Sequence, residues 1–297
     1  MPTGGGSLIA HHWQPIADLP ADWRALCRPD LHEVHARWTE ALEQLDAPER
    51  VREVQERLMR VWAIETGIIE RLYSVDRGVT VALADGGLDA MEDFRADGSL
   101  SPEAQLLIKD QRAALEMVMD LVGGRRELTS SYIRELHRGL TEHQDTRDAI
   151  DAQGRRFAAP LLRGEWKRLP NNPIRPDGRV HEYCPPEFVQ DEIDQLVAWH
   201  SAHESLGVCP EVEAAWQHHR FAQIHPFEDG NGRVARALTA AVFLRRNYLV
   251  LVIRDEEHRD PYLDALEAAD GGDLKPLVDL FADIEAADLR DALTILS

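Results

Sequence analysis

Residues 224–233 read IHPFEDGNGR, which puts a histidine, an aspartate, an asparagine between two glycines and an arginine within ten positions. Each residue type alone serves as turn, cap or surface charge; together they could do chemistry. A residue before proline is biased away from the helical region, so a helix through HHRFAQI should stop at His225, which precedes Pro226. The following EDGNG then forms a tight loop, and RVARALTAAVFL begins the next helix. Gly230 and Gly232 open backbone conformations closed to other residues and let a ligand approach closely. Backbone N–H groups in such a bend, at a helix N-terminus, make an anion cradle.

Arg233 and Arg236, three residues apart in the first turn, share a helix face. Cations there oppose the helix dipole by roughly 0.3–1 kcal/mol each. A polyphosphate over the same turn reverses that sign, gaining from the dipole and from both guanidinium groups. Asp229 is then a hard oxygen ligand suited to Mg²⁺ on nucleotide phosphates. His225 titrates near neutrality and could take a proton from an incoming hydroxyl. Positioning and charge stabilisation would supply most of the catalysis.

The elements that must hold this loop read as helices. Apolar residues at helical spacing mark LHEVHARWTEALEQL from Leu31 and VREVQERLMRVWAIETGIIERLYS from Val51. Ser101-Pro102 should cap and open a helix that stops near Gly123-Gly124. LTSSYIRELHRGL, PPEFVQDEIDQLVAWHSAH, CPEVEAAWQHHRFAQIH, RVARALTAAVFLRRN and GDLKPLVDLFADIEAADLRDAL complete the helices. The break in the pattern is 163–186, where Pro-Asp-Gly at 176–178 reads as a hairpin turn. The expected class is all-α with one small β-hairpin.

Composition narrows the function classes. The 297 residues suffice for a large core, and 44% hydrophobic with 29% charged residues is that of a globular protein. Fifty-three acids against 33 bases give a net charge of −20, which repels phosphate backbones and argues against nucleic acid as a partner. Three cysteines, Cys27, Cys184 and Cys209, without CxxC spacing suggest reduced thiols in a reducing compartment. No apolar run reaches membrane-spanning length, and the N-terminus shows no basic region followed by an apolar one. A cytoplasmic protein with no membrane association is the expectation.

Residues 225–236, HPFEDGNGRVAR, match every position of the Fic-family signature HxFx(D/E)GNGRxxR, and the chain resembles that family over roughly 125–285. LTSSYIRELHRGL resembles the family's opening core helix, 163–186 its β-hairpin flap, and DPYLDALEAADGGDLKPLVDLF its closing helices. The resemblance implies an all-α Fic core at 125–285. Before it would lie an N-terminal helical region, 1–124, and after it 286–297 would finish the last helix. It implies a protein adenylyltransferase moving AMP from ATP, with Mg²⁺, to a Ser, Thr or Tyr hydroxyl of a target protein. His225 would be the base and Asp229 the metal ligand. Asn231 and the Gly230 and Gly232 backbone would hold phosphates, Arg233 and Arg236 the outer ones. Phe227 would anchor the loop, Tyr262 would line the nucleoside site, and the 163–186 flap would align the target segment by strand pairing.

Many members of that family carry an inhibitory helix with the pattern (S/T)xxxE(G/N), whose glutamate pairs with the second motif arginine. Thr66 and Glu70 in TGIIER have that spacing, within a helix expected around 60–73, but Arg71 stands where the pattern has Gly or Asn. The plainer alternative is a glutamate on a solvated face; Glu65 is the candidate if the register differs. Removal of AMP from a modified target and nucleotide or partner binding without turnover are the competing functions. Gly232 argues against kinase-type members, which carry Lys there. His200, His203, His218, His219 and His225 lack zinc-ligand spacing, and His137 is read as hydrogen-bonded within the core. The tryptophans at 38, 62, 199 and 216 fall on apolar faces and are read as core. The helical surfaces leave room for a homodimer.

Overall fold

In a computed structural model of the chain, residues 9–44, 48–150, 154–175 and 177–296 are described. The order is β1 (Ile9–His11), α1 (Pro29–Gln44), α2 (Pro48–Ile69), α3 (Arg77–Gly86), α4 (Met91–Ala96), α5 (Pro102–Val122) and α6 (Ser130–Leu140). Then come β2 (Thr146–Ile150), β3 (Arg156–Pro160), β4 (Val180–His181), α7 (Val189–Leu206), α8 (Pro210–Ile224), α9 (Asn231–Arg245), α10 (Asp255–Asp270) and α11 (Lys275–Leu296).

The two helices around the motif loop form the centre. In α9, thirteen of fifteen residues are buried, from Asn231 to Leu244, as expected of a helix covered on all sides. It packs against α5, α6 and α8, and α2 reaches it from the N-terminal side. The N-terminal helices share one continuous core with the rest: Trp38, Trp62, Leu83 and Leu115 belong to the same buried cluster as Phe227 and Phe243. Caps appear where the sequence places them. The Ser101 hydroxyl accepts from Ala104 N at 3.1 Å and the Thr129 hydroxyl from Tyr132 N at 3.0 Å, each satisfying an otherwise orphan helix-start donor.

The helix through Glu70 is shorter than its apolar spacing suggests. It ends at Ile69, and Arg71 turns to φ 59°. Tyr73 then folds back, its hydroxyl donating to Ala63 O at 3.2 Å and Ile64 O at 3.1 Å. The ring lies against Gly67, where any Cβ would collide with it. A left-handed conformation costs a residue with a side chain roughly 1–2 kcal/mol. The family pattern's Gly or Asn suits this position, and here Arg71 offsets part of the cost with a 3.1 Å ion pair to Asp255.

The 163–186 segment turns back on itself as expected: Ile174 bridges Val180 antiparallel, Arg175 N donates to Arg179 O at 2.8 Å and His181 N to Pro173 O at 3.0 Å, and strand β4 also pairs in parallel with β1. Several other expectations need correction. Pro176 of the expected turn lies outside the described residues, as do residues 1–8 of the N-terminal reading and Ser297 of the last helix. A longer hairpin, β2–β3, precedes that segment, with Thr146 opposite Pro160 and Ile150 opposite Arg156. Both its strands are largely exposed, so no alternation of apolar and polar residues marked them. Helices α3 and α4 were also not anticipated. The thiols are not all reduced: Cys27 and Cys209 form a disulfide, leaving Cys184 as the free cysteine. The partners are 182 residues apart, a separation with no sequence signal, and the bond removes the cysteine argument for a reducing compartment. No helix among the described residues is long and apolar enough to cross a membrane.

Candidate active site

The motif loop joins α8 to α9. His225 caps α8 at φ 49° and ψ 59°, left-handed rather than extended, and Gly230 caps α9 at φ 81°. Pro226 thus ends the helix as expected, while the turn is sharper than proline alone requires. Phe227 is fully buried, with His137 stacked on it at 3.7 Å between ring centroids and Trp166 at 4.9 Å. This aromatic sandwich fixes the loop's middle in the core.

The Asn231 amide braces the loop from within. Its Oδ1 accepts from Phe227 N at 2.8 Å, and its Nδ2 donates to Phe227 O at 2.8 Å and to His225 Nδ1 at 3.1 Å. Sequence reasoning aimed this side chain at phosphates; in the structure it is spent on the loop's backbone and on the histidine. His137 is a second brace. It accepts from Gly164 N at Nδ1 (2.8 Å) and donates from Nε2 to Asp229 O (2.9 Å). Burial lowers its pKa to about 4, so the ring is neutral and can both accept and donate.

His225 Nδ1 also receives the Asn171 amide at 2.8 Å. Asn171 is oriented by Lys167, whose ammonium donates to its Oδ1 at 2.8 Å, and Asn231 by the backbone N–H of Phe227. Both amides must therefore present N–H to Nδ1, which places the imidazole proton on Nε2. Tyr183 stacks on the ring at 3.9 Å and 2°. Burial, with the Lys167 charge nearby, holds the His225 pKa well below its ordinary value, so the ring is neutral at pH 7. Burial also lowers Lys167 to about 8.

At the mouth of the loop, Asp229 Oδ1 accepts from Gly230 N at 2.6 Å and Oδ2 from Gln144 Nε2 at 2.7 Å. Its carboxylate is one-third exposed, with lone pairs left for a hard cation, and so fits the Mg²⁺ expected there. Arg233 is fully buried, donating to Leu140 O at 3.1 Å and to Gln144 Oε1 at 2.6 Å. The structure does not place it beside Arg236 at an open surface; it ties the loop to α6 and its following turn.

Arg236 is held by α2. Its Nε donates to the Thr66 hydroxyl at 2.5 Å, and its Nη2 to Thr66 O at 2.9 Å and Glu70 Oε1 at 2.8 Å. Nη1 is buried with no hydrogen-bond partner among the described residues. A Cβ built on Gly232 would strike Glu70 Oε1 and lie 3.1 Å from Arg236 Nη1. Only a glycine leaves this space, between an unsatisfied guanidinium donor and a carboxylate. Glu65, the alternative register, instead accepts from Asp255 N at 2.9 Å. Tyr262 lies beneath Arg236: its hydroxyl donates to His218 Nε2 at 2.7 Å, the nearby guanidinium and hydroxyl interact electrostatically, and burial raises the Tyr262 pKa to about 12. Its polar end is committed to this support.

Asn171, Lys167, Gln144 and Tyr183 touch the motif residues without having been singled out from sequence. They come from the 141–186 region, whose loop-like composition carries no periodicity to say which side chains turn inward.

Residues 127–243 match the Fic/DOC family model. Among curated proteins, the chain is 27% identical to the protein adenylyltransferase Fic of Culex quinquefasciatus, over 92% of this chain and 52% of that protein. It is 32% identical to protein adenylyltransferase fic-1 of Caenorhabditis elegans, over 35% of this chain and 20% of that protein. The chain thus spans about half the length of these curated relatives, or less. A Fic-domain-containing signalling protein from Bacteroides thetaiotaomicron has a similar structure, with TM-score 0.72, 25% identity and coverage of 90% of this chain and 96% of that one. The Fic-1 fragment from Caenorhabditis elegans shares the fold at TM-score 0.66 and 22% identity, over 92% of this chain and 72% of that one.

Proposed function

We propose, from the premise that residues 127–243 form a Fic/DOC-family domain, that this protein transfers AMP from ATP to a hydroxyl of a target protein and is held off by Glu70. The observation that carries the reading is the junction of α8 and α9: a neutral histidine, an aspartate and a glycine-bounded turn lie beside a buried, partly unsatisfied arginine. The target oxygen would attack the α-phosphorus; the bond to the β-phosphate oxygen breaks, pyrophosphate leaves, and the hydroxyl proton goes to His225. Phosphates would lie over the Gly230 and Gly232 backbone at the start of α9, with Arg236 on the outer ones. Asp229 would hold Mg²⁺, which supplies charge neutralisation of the phosphates when bound.

Two features suit a resting state. Glu70 takes the guanidinium that outer phosphates would need. His225 carries its proton on Nε2, so a base at that atom requires the proton to move to Nδ1 and both amides that donate there, Asn171 and Asn231, to give way. The segment 163–186, with Ile174 two-thirds exposed beside β4, would present strand edges to the target.

The test is label transfer from α- and γ-labelled ATP with Mg²⁺ in a lysate, using wild type, Glu70→Gly and His225→Ala. Labelling from the α position only, raised in Glu70→Gly and absent in His225→Ala, is the expected result. Label from γ alone would make the protein a kinase and overturn the reading. A second reading, removal of AMP from a modified target, draws on Glu70 itself, a carboxylate set over the motif loop where it could orient water. Release of AMP from adenylylated protein by wild type and not by Glu70→Gly would favour it.

A further inference from the structure

Behind the flap a second cluster collects metal-ligating side chains outside the motif loop. Strand β1 pairs with β4 so that His11 stands opposite His181. Their rings stack at 4.6 Å between centroids, 17° from parallel. Asp270, the last residue of α10, faces them, with its Oδ2 3.8 Å from His181 Nδ1. One ligand atom from each of the three residues lies within 4.8 Å of the others.

Three details separate this cluster from a stacked pair in a core. His11 Nε2 is buried with no hydrogen-bond partner among the described residues, and an orphan buried imidazole nitrogen is costly unless something satisfies it. Asp270 has an outer support: its Oδ1 accepts from His219 Nε2 at 3.0 Å, the kind of bond that orients a ligating carboxylate. The ligand set comes from three separate elements, so a cation would join the N-terminal strand, the flap and the end of α10.

We propose that His11, His181 and Asp270 form a binding site for a divalent transition cation of the zinc class. Two imidazole nitrogens and one carboxylate suit Zn²⁺ and its neighbours and not Mg²⁺ or Ca²⁺, which take oxygen ligands. Tetrahedral bonds of about 2.0–2.1 Å need ligand atoms roughly 3.3 Å apart, so on binding the cluster contracts by about 0.5–1.5 Å and the two rings rotate out of their near-parallel stack to bring a lone pair of each onto the cation. Arg175 Nη2 now lies 3.2 Å from His181 Nδ1, and its Nη1 is paired with Glu267 at 2.6 Å. The cation displaces that guanidinium from the ring while the Glu267 pair remains. It fixes the flap against the core, and through His181, Tyr183 and His225, whose successive ring centroids are 4.8 and 3.9 Å apart, it stiffens the column behind the motif histidine.

The site does not depend on the nucleotide reading, and its test needs no activity. Chelator-stripped full-length protein is titrated with Co²⁺ without nucleotide, following visible absorption for stoichiometry and Zn²⁺ competition for affinity. Wild type and His225→Ala should bind one equivalent with four- or five-coordinate intensity. His11→Ala, in a short edge strand that can be changed without unfolding the core, should bind at least about tenfold more weakly. Asp270→Asn should do the same, with its melting temperature recorded to show that it is folded. No stoichiometric binding by wild type, unchanged affinity in His11→Ala, or loss in His225→Ala alone would each overturn the assignment.

Discussion

Replacing Glu70 with alanine should weaken the resting protein and strengthen its grip on triphosphate, and the two effects should come from one interaction. Arg236 is almost fully buried and Glu70 is 22% exposed at the side chain. Removing one partner of a fully buried pair costs about 3–5 kcal/mol. The cost here is lower, about 2 kcal/mol, because Arg236 keeps its two bonds to Thr66 and its contact with Tyr262. With an unfolding entropy of about 2.1 cal/mol/K per residue, the 297 residues give about 0.6 kcal/mol/K. Two kcal/mol then lowers Tm by about 3 °C. In wild type, outer phosphates must displace Glu70 from the guanidinium at a similar cost, so its loss should tighten ATP binding up to about 30-fold. AMP has no outer phosphates and should bind both forms alike. Thermal melts and calorimetric titrations with ATP and AMP check this. A fall in Tm with equal gains for ATP and AMP, or no fall at all, would refute a direct competition for Arg236.

Acid should destabilise the fold before carboxylates titrate. His137 and His218 are buried neutral, with pKa values lowered to about 4 and about 3; unfolded chains bind those protons near pH 6.5, so stability is full above that pH and falls as pH drops towards 4, by on the order of 3 kcal/mol for His137. Denaturant melts across that range measure the slope. Cys27→Ser should cost about 2–4 kcal/mol under non-reducing conditions, and reductant should lower wild type to the same level while leaving the variant unchanged. In ¹⁵N spectra of the resting protein, His225 should show a pyridine-type Nδ1 and a pyrrole-type Nε2; the reverse pattern would refute the two-amide arrangement around the ring.

The helices around the loop were legible because their apolar faces repeat at helical spacing, and the loop because its residues are explained by no common structural role. The Glu70 contact with Arg236 was legible only through the family pattern and its spacing from Thr66; the residues alone did not choose it over a solvated face, since the approach depends on where α2 ends, and that end is set by Tyr73 folding over Gly67. The bonds of Asn231 to the Phe227 backbone and to His225 were not legible: a side-chain amide at a helix start serves phosphate or backbone equally well on paper, and the position of the Phe227 backbone sets these bonds. The β2–β3 hairpin lies in an exposed segment, where neither face has to be apolar, and the inward-facing residues Asn171, Lys167 and Tyr183 lie in loops with no period to say which side chains turn in. The disulfide joins distant positions through tertiary packing alone.

That disulfide also closes a covalent ring. Residues 27 to 209 are joined end to end, and the ring encloses Thr66, Glu70, Asn171 and Tyr183, while His225 and α9 lie outside it on the tail leaving Cys209. A protease that cuts anywhere in the ring, for instance in the Gly123-Gly124 turn between α5 and α6, opens it without releasing either piece. The carboxylate that occupies Arg236 would stay on the same molecule at high effective concentration. Freeing the arginine by cleavage would then require two chemistries in succession, a cut backbone and a reduced sulfur bond.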